Sequence, residues 1–213
     1  MKNIVLYAPP AAGKGTQCNF LAEKYGYKIL SIGQVLRNAR NPETEVGRII
    51  IETQDKGILT PDNIVAEALK NEFEKYGDAP LILEGYPRNL DQAKLLCEIF
   101  SDFIVINIDI DRQEAYERIT GRLSCDKCNK IYNKYTEGMI PKVEGKCDIC
   151  GDDLIVRDDD NEESFNVRFD IYEENAPKIK EYFREKGILR EMRSGETKEI
   201  TFSRIEEIIN NEG

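Results

Sequence analysis

Two cysteine pairs, Cys125-x2-Cys128 and Cys147-x2-Cys150, stand 18 residues apart and constrain this chain more than any other feature. Two such knuckles can fold together around one tetrahedral ion. In a reducing compartment the pattern favours metal over free or disulfide-paired thiols, which are the competing reading. A short hairpin segment buries too little apolar surface to hold its shape alone, so a zinc ion would supply the missing folding energy. Four thiolates leave no open coordination position, which makes the expected role structural rather than catalytic. The other two of the six cysteines, Cys18 and Cys97, sit in helix-like apolar patterns and read as core thiols.

Around the knuckles the chain has the rhythm of an α/β protein. Asn3-Ile4-Val5-Leu6-Tyr7 is a short apolar run closed by Pro9-Pro10, as expected of a buried parallel strand entering a loop. Cys18, Leu21, Ala22 and Tyr25 then repeat at helical spacing up to Gly26. Val65, Ala68, Leu69 and Phe73 mark another helix, and 81–83 and 103–106 read as further buried strands. Strands alternating with helices imply a parallel sheet. Residues 123–160, rich in Lys, Asp, Gly and Cys, interrupt this rhythm as a small inserted domain of hairpins. Afterwards the pattern predicts a helix over 162–186, strands over 188–192 and 199–201, and a last helix with Phe202, Ile205 and Ile209 on one face.

The formal net charge of −10 argues against general binding to nucleic acid or an anionic membrane, since the long-range field repels both. No apolar run approaches the roughly 18 residues needed to span a bilayer, and no secretory signal pattern opens the chain, so a cytoplasmic protein is expected. An anionic substrate would need a local basic pocket. The loop Ala8-Pro9-Pro10-Ala11-Ala12-Gly13-Lys14-Gly15-Thr16 lies between the first strand and first helix. There, successive backbone N–H groups, a helix N-terminus and a Lys ammonium can hold phosphate together. It departs from G-x-x-x-x-G-K-[ST] at Ala8 and Gly15, and an ordinary strand-to-helix turn with one exposed Lys is the bland alternative. Glu84-Gly85-Tyr86-Pro87-Arg88 follows an apolar strand, where ligands of open α/β folds bind. Arginines at 37, 118, 122, 157 and 168 are either solvated surface charge or, if they converge, a phosphate pocket.

The loop, Glu-Gly-Tyr-Pro-Arg with Gln92, Glu117-Arg118-Ile119-Thr120-Gly121-Arg122, the cysteine pairs and Arg157-Asp158-Asp159-Asp160-Asn161-Glu162-Glu163 together resemble adenylate kinase over nearly the whole chain. The cysteine-bearing insert resembles the long zinc-bearing lid of many bacterial members, with 141–145 between its knuckles. The resemblance implies a P-loop three-layer fold in three parts. They are a core of residues 1–30, 61–122 and 161–213, a helical AMP-binding insert of 31–60, and a β-hairpin lid of 123–160. It implies reversible transfer of the terminal phosphoryl group of MgATP to AMP, giving two ADP, in line and under a closing lid, by a monomeric protein. ATP would lie on Ala11, Ala12, Gly13, Lys14, Gly15 and Thr16, with Arg118 and Arg122 at the lid hinge, Ile131 and Tyr132 above it, and Lys198 beside its adenine. AMP would lie on Ile32, Arg37, Leu59, Thr60, Gly85, Arg88 and Gln92, with Arg157 and Arg168 on the transferring group. Lys14, Arg88, Arg122, Arg157 and Arg168 would carry the catalysis, and Glu84 would stand near Mg2+.

The chain has no histidine, and this chemistry needs none. The acceptor phosphate oxygen is already largely ionised near neutral pH, so positioning and charge neutralisation suffice. Three departures from the family pattern bear on rate and selectivity: Ala8 and Ala11 where glycine is usual, Glu84 for Asp, and Ser31-Ile32-Gly33-Gln34 for Ser-Thr-Gly-Asp. If either loop position requires φ > 0, alanine costs on the order of 1 kcal/mol there. A kinase for another nucleoside monophosphate, and a catalytically weak nucleotide-binding relative that uses its zinc knuckle for contacts, are the alternative functions.

Overall fold

A computed structural model of the chain describes every residue except Asp78, Asp159 and Gly213. Asp159, part of the acidic run quoted above, thus lies outside the described residues. The chain runs β1 (Asn3–Tyr7), α1 (Lys14–Tyr25), β2 (Lys28–Ser31), α2 (Ile32–Asn38), α3 (Glu45–Asp55), α4 (Asp62–Tyr76), β3 (Leu81–Glu84) and α5 (Leu90–Ile99). It continues through β4 (Phe103–Asp109), α6 (Arg112–Thr120), β5 (Arg122–Ser124), β6 (Ile131–Asn133), α7 (Glu162–Glu185), β7 (Leu189–Arg193) and α8 (Lys198–Asn210). The strand order is β2-β3-β1-β4-β7, with every pairing parallel.

Side chains of a strand point alternately to its two faces, so a strand covered by helices on both sides reads as continuously apolar. Val5, Leu83 and Val105 enter one core cluster with Leu36, Leu69, Leu96 and Phe183 from α2, α4, α5 and α7. Their neighbours Ile4, Leu6, Ile82, Ile104 and Ile106 enter the other, against Cys18 and Leu21 of α1 and Ile205 of α8. Residues 4–6, 81–83 and 103–106 are therefore uninterrupted apolar runs because both faces of these strands are buried. Registers Val5↔Leu83 and Val5↔Val105 align their carboxyl ends, and the connecting loops open on one edge.

Local chemistry sets the helix ends. Gly26 closes α1 in the left-handed region, its N–H donating to Ala22 O at 3.0 Å. Asn89, Asn161 and Thr197 cap α5, α7 and α8, each side-chain oxygen accepting a backbone N–H from three residues on. The Thr197 cap corrects one expectation: 199–201, expected as a strand, forms the first turn of α8. A three-residue stretch with two β-branched residues, Ile200 and Thr201, carries little propensity against a satisfied cap and the burial of Ile205 one turn later. Residues 123–156 stand off the main sheet as an antiparallel β5–β6 hairpin with isolated antiparallel bridges Ser124↔Ile155 and Lys146↔Asp153. Among the described residues no helix is long and apolar enough to cross a membrane.

Candidate active site and metal centre

A cleft of about 1150 Å³ runs along the carboxyl edge of the sheet, where β1, β3 and their loops meet the β5–β6 hairpin and α2. Its floor is the loop between β1 and α1. Gly13 caps α1 at φ 86° and ψ 14°, and Gln17 N–H is the first to bond back, to Gly13 O at 3.1 Å. The N–H groups of the preceding turn have no carbonyl within the helix and face the region where the helix dipole favours an anion. Ala11 takes φ 60°, whereas Ala8 is not among the positive-φ residues. Of the two alanines, only Ala11 therefore stands in the glycine-favouring region.

Lys14 Nζ donates to Ala8 O at 3.0 Å and Pro9 O at 2.8 Å, so its ammonium lies folded against the loop it serves. Burial lowers its pKa to about 8; Glu84 opposes that shift, and Arg88 and Arg122 add to it. The ammonium thus sits in surroundings short of negative charge.

The arginines converge. Arg37, Arg88, Arg118, Arg122, Arg157 and Arg168 all line the cleft, with Ala11, Ala12, Gly13, Lys14, Gly15, Thr16, Leu59, Thr60, Glu84, Gly85, Ile131, Tyr132 and Lys198. Arg122 Nε donates to Asp160 Oδ2 at 2.6 Å and its Nη2 to Oδ1, while Arg168 Nη2 lies 3.7 Å from the same carboxylate, whose side chain is fully buried. Arg118 Nη2 donates to Glu114 Oε1 at 2.5 Å. Arg88 Nε donates to Gly85 O at 3.1 Å.

Two expected side chains do not face the cleft. Ile32 is 2% exposed and packs with Leu36 and Ile50 in the core, because an apolar residue opening α2 gains more from burial than from facing a polar wall. Gln92 is 3% exposed; its Oε1 accepts from Arg88 N–H at 2.7 Å and its Nε2 donates to Asp62 Oδ1 at 2.6 Å.

Sequence reasoning also passed over several groups that order the site. Asp160 joins Arg122 to Arg168, and only its place in the acidic run after Arg157 could have marked it. Gln17 Nε2 donates to Lys198 O at 3.0 Å, and Lys198 Nζ donates to Gly138 O at 2.8 Å, bridging α8 to the hairpin segment. At the base of that segment a Cβ on Gly121 would lie 2.5 Å from Asn133 Oδ1, so the turn between α6 and β5 has no room for a side chain. Asn133 Nδ2 donates to Arg118 O at 2.8 Å and closes the junction.

The four cysteines meet at the far end of the hairpin segment, all sulfurs within 4.8 Å of one another. Cys125 and Cys150 lie 3.4 Å apart, Cys128 and Cys147 3.4 Å, and Cys128 and Cys150 3.7 Å. Those separations exclude S–S bonds and approach the ~3.8 Å edge of a tetrahedron with Zn–S bonds of about 2.3 Å. Backbone N–H groups of Lys130, Ile149 and Asp152 reach the sulfurs of Cys128, Cys147 and Cys150, which suits thiolates. The donor set fits zinc.

The family model described as Adenylate kinase matches residues 6–188. The chain is 37% identical to an adenylate kinase of Archaeoglobus fulgidus over 213 residues, covering 97% of each. It is 39% identical to one of Methanosarcina mazei over 193 residues, covering 88% of each. A third, from Petrotoga mobilis, is 37% identical over 186 residues and 85% of each chain. A glycine-capped loop at a helix N-terminus, converging arginines and a family match along most of the length lead to one conclusion: the chain belongs to the adenylate kinase family.

Proposed function

We propose that the residues lining the cleft share out the family's reaction, reversible transfer of the terminal phosphoryl group between ATP and AMP. The observation that carries this assignment is the convergence of Lys14 and six arginines on one cleft of a protein with net charge −10. In such a field, seven cations around one volume are a site for several phosphates.

ATP phosphates would lie on the N–H groups from Ala11 to Thr16 and on Lys14, with Arg118 and Arg122 reaching them from the hinge. Ile131 and Tyr132 would cover the nucleotide, and Lys198 would flank its base. The AMP phosphate would meet Arg37 and Arg88, with Leu59, Thr60 and Gly85 along that wall, and Arg157 and Arg168 would hold the group in transit. Gln92 would read the base once AMP draws its amide from Asp62, and the contribution of position 32 would come from its backbone. No general base is needed, so catalysis is alignment and charge stabilisation with water excluded. Mg2+, carried by ATP and with Glu84 near its hydration shell, would neutralise phosphate charge. We assign residues 31–60 and 123–160 as the segments that close on the core 1–30, 61–122 and 161–213. Zinc on Cys125, Cys128, Cys147 and Cys150 would keep the lid one rigid body, in a cytoplasmic monomer.

Coupled measurement of ADP formation with AMP, CMP, UMP and GMP as acceptors tests this reading. AMP should be preferred, and Lys14→Ala should lower kcat by ~10³-fold, the scale of losing one preorganised cation at developing charge. Activity equal to the variant's, or a pyrimidine preference, would defeat the assignment.

A further inference from the structure

Position 34, where the family pattern has a carboxylate, carries an amide with two well-defined partners. Gln34 Oε1 accepts from Arg37 Nε at 3.1 Å and from Arg37 Nη2 at 2.8 Å, so one oxygen takes a whole edge of the guanidinium. Gln34 Nε2 donates to Asn38 Oδ1 at 2.9 Å, which fixes which amide atom faces the arginine. The three residues occupy i, i+3 and i+4 on α2 and all line the cleft. A Cβ on Gly33 would lie 3.4 Å from Arg37 Nη1, and one on Gly85 would lie 3.7 Å from Gly33 N and 3.9 Å from Arg88 Nη2.

We propose that Gln34 is a positioning residue of the monophosphate subsite: it holds Arg37 by the Nε–Nη2 edge and brings no negative charge to the place where the phosphate enters. The inference rests on the reading above that Arg37 meets the AMP phosphate. A monophosphate carries about −1.5 to −2 charge at pH 7, so a carboxylate at position 34 would repel it within the same few ångströms. An amide gives the same acceptor geometry without that repulsion. Gln34 touches no reacting atom and acts through Arg37 alone, so its effect falls on acceptor binding rather than on the chemical step.

Two variants separate geometry from charge. Gln34→Glu keeps the acceptor and adds charge; KM for AMP should rise ~10-fold at low ionic strength, and the rise should shrink as salt screens it. Gln34→Met removes the acceptor at similar volume and adds no charge; KM for AMP should rise by roughly 5-fold at every ionic strength. In both, kcat and KM for ATP should stay within about 2-fold, a split that general damage to the fold would not produce. Arg37→Ala, run alongside, tests the subsite itself. If it raises KM for AMP while both Gln34 variants stay within 2-fold of the parent, the positioning role is overturned and the subsite stands. If Arg37→Ala leaves KM for AMP unchanged, the subsite reading fails and the inference with it. A salt-independent rise in Gln34→Glu would overturn the charge argument.

Discussion

The sheet and the cysteine segment hold their shapes by opposite means. On the sheet, Ile4, Val5, Leu6, Ile82, Leu83, Val105 and Ile106 are each no more than 1% exposed, and helices cover both faces. In residues 123–156 the buried apolar cluster is Leu123, Cys125, Tyr132 and Cys147, and two of those four are metal-ligand candidates. Tyr135, Ile140, Val143, Ile149, Ile155 and Val156 remain exposed in the same segment. Burial at about 25 cal/mol per Å² can hold the sheet, but four side chains cannot offset the ordering of more than thirty residues. The difference teaches that the segment proposed as a lid would depend on metal–thiolate bonds independent of the core, which would let it swing without loosening the sheet.

The largest effect should come from breaking that bond set. Structural zinc contributes on the order of 10 kcal/mol to small metal-folded units. Chelation, or Cys147→Ser, should abolish hydrogen-exchange protection over 123–156 and most of the activity, while the far-ultraviolet signal and main melting transition of the sheet persist. The converse is Leu83→Ala, a buried deletion in the sheet, which should cost about 3 kcal/mol of global stability and leave zinc content unchanged. If chelation melted the sheet in the same step, the two regions would be one cooperative unit and the comparison would fail. Elemental analysis of fresh protein should find one zinc per chain.

The same contrast explains what could be read from sequence. The sheet strands were legible because double burial leaves an uninterrupted apolar run, and the cysteine pairs because ligand spacing is covalent. β2, α2, α3 and α6 were not named individually: Lys28–Ser31 has one buried residue, and α3 depends on Thr44 capping Gly47, a signal no stronger than any surface threonine. In the site, Lys14 and the arginines could be named from family motifs, but convergence is a property of the fold. That the Ile32 side chain turns into the core could not be read, because sequence position does not say which side of a short helix a residue faces. Asp160 was hidden in an acidic run whose other described carboxylates, Asp158, Glu162 and Glu163, are exposed, and only burial distinguishes it.

A smaller effect tests the charge held by the sheet side. Lys14 is displaced downward, to about 8 from 10.5, chiefly by burial. The unfolded chain therefore binds more protons than the folded one between pH 8 and 10.5, so Lys14 destabilises the folded state below this window and stability rises with pH across it. Phosphate affinity has the opposite sign, since it needs the ammonium. ATP binding to the free protein should weaken above pH 8, approaching ~10-fold per pH unit, with proton uptake on binding near pH 8 seen by calorimetry in buffers of different ionisation enthalpy. Lys14→Arg, charged throughout, should flatten both signals. A Lys14 titration seen only above pH 10 would mean that the loop is open to water.

The smallest expected effect lies at Ala11. An L-residue at φ 60° costs about 1–2 kcal/mol, and glycine relieves it. Against this, glycine adds unfolded-state entropy of roughly 0.5–1 kcal/mol, and the Ala11 methyl packs in part against the cluster of Ala12, Ile119 and Phe165. The balance for Ala11→Gly is a gain of about 0.5 kcal/mol, a rise in Tm of ~1–2 °C for a chain of this size. Ala11→Val, β-branched in the same region, should move Tm the other way and further. Because Ala11 belongs to the loop on the sheet, the gain should survive removal of zinc; a gain present only in the metal-loaded protein would tie the phosphate loop to the cysteine segment. A fall in Tm for Ala11→Gly would show that methyl packing outweighs backbone strain, and that alanine at this position is a stabilising replacement for glycine.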